Sequence, residues 1–154
     1  MYIATVALLL IVFPVASIVA DKAIAHTAAP WLALLGKWSV FWIVGVRLIA
    51  AGLRQFFQPR FTAKKILAID SDDALPVVQE LGIANFSAGV VAALSLVFPR
   101  FVLPMAIAGA LFYGIAGIRH LRDAHRNANQ NFAMVTDLFA AAVLVVYIAY
   151  IAAA

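Results

Sequence analysis

Residues 77–98 read VVQELGIANFSAGVVAALSLVF, and after Pro99-Arg100 a second stretch, residues 101–118, reads FVLPMAIAGALFYGIAGI. Glu80 is the only formal charge in the two together. Each is close to the ~20 residues an α-helix needs to cross ~30 Å of hydrocarbon. A helix is the open-chain solution there, because lipid satisfies no backbone polar group. With so short a link between them, the two segments form an antiparallel hairpin.

Working outward, three more apolar runs have similar length: Tyr2 to Ala20, about 30–57 and about 132–153. The sequence therefore predicts an all-α fold. It is a single transmembrane domain over residues 1–154, a bundle of five helices at about 2–20, 30–57, 77–98, 101–120 and 132–153. The first run lacks the positive flank of a secretory signal and reads as a retained helix. In the second, Thr27 is placed as a cap, Pro30 as the first helical residue, and Trp31, Trp38 and Trp42 as an interfacial belt. That helix is expected to start at the surface and enter the bilayer near Trp38. Residues 58–76 form a surface loop with an amphipathic turn capped by Thr62. Asp72 or Asp73 is expected to cap the third helix, with Pro76 in its first turn.

Composition agrees. Of 154 residues, 66% are apolar and 12% charged, about half the charge of a soluble domain. The net charge of +4 comes from basic residues in short connections, where it reports topology rather than nucleic-acid binding. Arg54, Arg60, Lys64, Lys65, Arg119, Arg122 and Arg126 fall on one side and Lys22, Lys37 and Arg100 on the other. Seven against three puts the N-terminus inside and the C-terminus outside, in the cytoplasmic (inner) membrane. The absence of cysteine excludes disulfides, thiolate metal sites and thiol redox chemistry.

Charged and polar groups inside apolar runs are costly and point to a site. Arg47 lies near the middle of the second run, and Arg54 lies on the same face two turns on. Glu80, Asn85, Tyr113, His120 and Asp137 come from the three later helices. The topology puts Arg54, Glu80, His120 and Asp137 at the same end of the bundle. The expectation is one buried polar cluster of Arg47, Arg54, Glu80, Asn85, Tyr113, His120 and Asp137, with Asp137 or Glu80 as counter-ions to the arginines. Three of them have a plainer reading: Glu80 as a solvated first-turn acid, Asn85 as interhelical packing glue, His120 as an interfacial histidine. Small residues at helical spacing predict close packing of the third and fourth helices: Gly82, Ala84, Ala88 and Gly89, with Ala106, Ala110 and Gly114 opposite. No spacing of His, Asp or Glu matches a metal site, and GxSxG, P-loop and HExxH motifs are absent. No cofactor is implied.

The segments GLRQFFQPRFTA from Gly52, QELGIANFSAG from Gln79, LFYGIAGIRHL from Leu111, Asn131 and TDL at 136–138 resemble an uncharacterised family of small bacterial multi-pass membrane proteins, a domain-of-unknown-function family loosely similar to DoxX-like proteins. The resemblance covers about residues 40–150 and marks Glu80, Gly82, Asn85, Gly89, His120 and Asp137. Where part of that family carries histidine, this chain has Gln55. The resemblance implies fold and membrane location. Three functions fit. The first is a structural or accessory subunit, partnered by lipid and by other membrane subunits or a second copy. The others are a small transporter using an Arg–acid cluster, and a lipid-, quinone- or pigment-binding protein or membrane enzyme.

Overall fold

The computed structural model describes residues 2–154. Among them all regular structure is helical. Five helices are long and apolar enough to cross a membrane: α1 (Ala4–Ala23), α2 (Trp31–Phe57), α3 (Asp72–Leu96), α4 (Pro99–Arg122) and α5 (Ala128–Ala153).

The helix ends differ from the expected ones because of particular side chains. Asn127 and Gln130 form a reciprocal capping box, each side chain accepting from the other's backbone N–H, so α5 starts before its apolar run. Ser71, not Asp72 or Asp73, caps the first turn of α3 by accepting from the Asp73 N–H. Thr27 does not cap α2; Pro30 is the flanking residue. Thr62 does not cap the loop turn either. It is buried inside a short helical stretch, Pro59–Phe61 running into Thr62–Ile66.

The bundle is two tight antiparallel pairs, α2 with α3 and α4 with α5. In the first pair, glycines seven residues apart on each helix bring the backbones into contact. A Cβ on Gly52 would sit 2.6 Å from the Gly82 carbonyl oxygen and from the Phe86 nitrogen. One on Gly89 would sit 2.6 Å from the Ile49 nitrogen, and one on Gly45 would sit 2.9 Å from the Ala93 nitrogen. Gly82 and Gly89 thus face α2, not α4. Ala84 is exposed and Ala88 half-buried. α3 and α4, neighbours in sequence, touch only sparsely. The small residues of α4 face elsewhere: Gly114 has room, its nearest neighbour being the Ala141 Cβ at 3.7 Å, and Ala106 is fully buried in the core.

The two pairs meet through one segment of α2. Val40–Val46 is wound as a π-helix, in a run whose β-branched residues and Gly45 weaken the α preference. Val40, Ile43 and Val44 are buried there with Ala106, Ala140 and Leu144. Gly109 faces Val44 and Leu144, and Gly36 faces the Tyr147 ring. Beyond Arg47, α2 packs chiefly on α3 and the loop helix, so the pairs part toward the end that carries Arg54, Arg60, Lys64 and Lys65, called here the basic end. α1 lies against α2. At the opposite end Asp21 accepts from Lys37 Nζ at 2.8 Å and Trp38 Nε1 at 2.9 Å, and Ser17 accepts from Trp42 Nε1 at 3.0 Å. Two of the three tryptophans thus lock α1 to α2, a role that reading them only as an interfacial belt leaves out.

Candidate functional site

Where the helix pairs part, Arg47 bridges them. It leaves α2 one residue after the π-helical stretch, and its Nη2 donates to Asp137 Oδ1 on α5 at 2.6 Å. Both side chains are about nine-tenths buried, with 11% and 10% exposed. The guanidinium lies over the Tyr113 ring of α4, 4.6 Å from its centre, a cation–π arrangement that strengthens as water is removed. Thr136 Oγ1 lies 3.4 Å from Nη2 while its own hydroxyl is within reach of the Phe132 and Ala133 carbonyls. Tyr113 donates its hydroxyl to the Ile43 carbonyl at 2.7 Å, so the tyrosine joins the guanidinium to the backbone of the π-helical stretch. A charge at mid-depth is tolerated because it has a counter-ion, an aromatic face and a hydroxyl around it.

Below this bridge lies a cavity of about 530 Å³ that reaches the basic end. Every spanning helix contributes: Val6 and Leu9 from α1, Leu48 and Ala51 from α2, Leu81 from α3, Phe112 and Ala116 from α4, Ala133 from α5. Its polar wall includes Arg47, Arg54, Gln55, Asn85, Tyr113, Arg119, His120 and Asp137. Asn85 Nδ2 donates to Gln55 Oε1 at 2.8 Å, closing that pair across α2 and α3. Arg54 is half-buried with its guanidinium 3.7 Å from the centre of the Phe61 ring. His120 is 8% exposed. A second hollow of about 50 Å³, room for a water molecule or two, adjoins it between Leu67, Arg119, His120, Asp123 and Gln130.

Six of the seven expected cluster residues therefore line one cavity. Glu80 does not: it is exposed on α3 and absent from the lining. The α2–α3 glycine contacts set the rotation of α3, turning Gly82, Asn85 and Gly89 inward and Glu80 out. Gln55, Thr62 and Ala116 also line the cavity, though the sequence does not place them in the polar cluster. Their signal is weak, since a glutamine near a helix end and a loop threonine both read as solvated. Among the described residues no three His, Asp or Glu side chains group as a metal site.

No curated protein and no solved structure matches the chain. One family model does match, over residues 1–154, a longer span than the 40–150 that carries the resemblance. The chain belongs to the Family of unknown function (DUF6790).

Proposed function

We propose that the protein binds a lipid-soluble molecule in the cavity between its two helix pairs. The cavity carries this reading. About 530 Å³ falls within the range of ligand sites, and an apolar wall with a few convergent polar groups is their usual make-up. The exposed Leu81 and Phe112 stand at its edge, on the surface that faces lipid in a membrane.

The alternatives receive less support from the geometry. A transporter needs a path through both ends, and the end opposite the cavity is filled by Gly36 against Tyr147 and by Val44, Gly109 and Leu144. An accessory subunit needs a partner face. The exposed large apolar residues are instead spread over all five helices, among them Val15, Leu53, Val77, Ile115 and Val145, as lipid contact requires. The inner membrane with the basic end toward the cytoplasm is the setting that the distribution of Lys and Arg favours.

The test is extraction from the native membrane followed by mass spectrometry of what co-purifies. A lipid-soluble molecule held by the wild type and lost from Ala116→Phe and Ala51→Phe, which fill the cavity, is the expected result. Folded variants that retain the molecule, or a wild type that holds none, would overturn the reading.

A further inference from the structure

The cavity's charges do not balance. Among the described residues Asp137 is the only acid in its lining, and Arg47 occupies it at 2.6 Å. Arg54 also lines the cavity, half-buried, and among the described residues its side chain makes neither an ion pair nor a hydrogen bond; it lies on the Phe61 ring at 3.7 Å. That ring covers one face of the guanidinium and leaves its N–H donors, which lie in the guanidinium plane, without an acceptor among the described residues. His120 is more than nine-tenths buried and lines both hollows, and among the described residues its imidazole makes no hydrogen bond. Arg119 stands at the rim, exposed, beside Asp123 in the smaller hollow. Glu80, the remaining acid of the membrane-spanning part of α3, faces out. Two donors, one of them permanently cationic, thus line a cavity whose one acid among the described residues is already engaged. A guanidinium held in a low-dielectric wall is costly unless an anion meets it.

Building on the ligand-binding reading above, we propose that the ligand is an anionic amphiphile. Its acidic head, a carboxylate or phosphate, sits between Arg54 and His120, and its chain lies along Leu48, Leu81 and Phe112. Arginine suits this role because its planar fork meets two oxygens of one acid group at once. His120 completes the head-group site by donating one ring N–H. The Arg47–Asp137 bridge closes the top of the site and is not displaced, so the head group binds at the basic end and not at mid-depth. The outer face of such a site is open to the head-group region, where anionic lipids reside.

The purified full chain, in detergent, is titrated with oleate, oleyl alcohol, phosphatidylglycerol, phosphatidylcholine and inorganic phosphate, reading the shift in thermal unfolding and the bound species by native mass spectrometry. The expected result is that oleate or phosphatidylglycerol binds at least ten-fold more tightly than its neutral counterpart of the same chain. Arg54→Gln and His120→Gln should each lower that preference several-fold, while Arg54→Lys keeps part of it. Equal binding of the acidic and neutral members of both pairs to the wild type overturns the acidic-head proposal and leaves the ligand-binding reading standing. Binding of none of the four amphiphiles also overturns the acidic-head proposal, while the ligand-binding reading stands or falls on what co-purifies from the native membrane. Inorganic phosphate that binds as tightly as the amphiphiles and competes with them also overturns the proposal, by assigning the site to a free anion. Because the head-group comparison is made on the wild type, failure of a variant to fold does not protect the idea.

Discussion

Asp137 meets Arg47 across the seam between the helix pairs, and its charge has an outsized effect on the folded state. Asp137→Asn leaves a buried guanidinium facing a neutral amide, and breaking a buried pair in this way costs about 3–5 kcal/mol. Unfolding of the variant in mixed micelles should show a loss of that order, with much of it restored in the double variant Arg47→Met/Asp137→Leu. A double variant as unstable as the single one would show that the pair stabilises through more than charge balance. Tyr113→Phe keeps the ring under Arg47 but removes the donor to the Ile43 carbonyl. It should cost about 1 kcal/mol in the same measurement. That Arg47 requires an acid can be read from the cost of an unpaired charge in an apolar run. Which acid it takes cannot, because Glu80 and Asp137 are equally plausible until the rotation of α3 is known. Asn85 is similar: its type announces an interhelical hydrogen bond, but its partner, Gln55, is fixed only by the register of α2 on α3.

The five apolar runs are legible as helices because length and composition suffice for that. Their pairing is not. Small-residue stripes on consecutive helices invite the hairpin partner, but the glycines of α3 find matching glycines on α2, and Gly–Gly contact allows a closer approach than Ala–Ala contact does. The same geometry separates tolerant from intolerant glycines. Gly52→Ala places its Cβ against backbone atoms that cannot swing aside and should destabilise by about 1–3 kcal/mol. Gly114→Ala meets nothing closer than 3.7 Å and should be neutral or gain about 0.5–1 kcal/mol from helix propensity. Equal effects in thermal unfolding would contradict the glycine contact between α2 and α3. The π-helical stretch Val40–Val46 has no clear sequence signature; its β-branched residues and Gly45 weaken an α-helix without naming what replaces it.

Over the whole molecule, the absence of cysteine makes orientation directly measurable. Lys64→Cys and Arg100→Cys each introduce one thiol at opposite ends of the bundle. An impermeant maleimide added to intact cells should label position 100 and spare position 64 until the cytoplasmic face is opened; the reverse pattern would invert the orientation. The architecture is itself asymmetric along its axis. It is sealed where α1, α2 and α5 are cross-braced by tryptophan, tyrosine and the Asp21–Lys37 pair, and parted below Arg47. A cavity confined to one end of a membrane-crossing bundle samples one monolayer only. Its occupancy would then follow the composition of that leaflet rather than of the membrane as a whole. For the amphiphile proposed above, lipid scrambling between leaflets, with no change in total lipid, would load or empty the cavity.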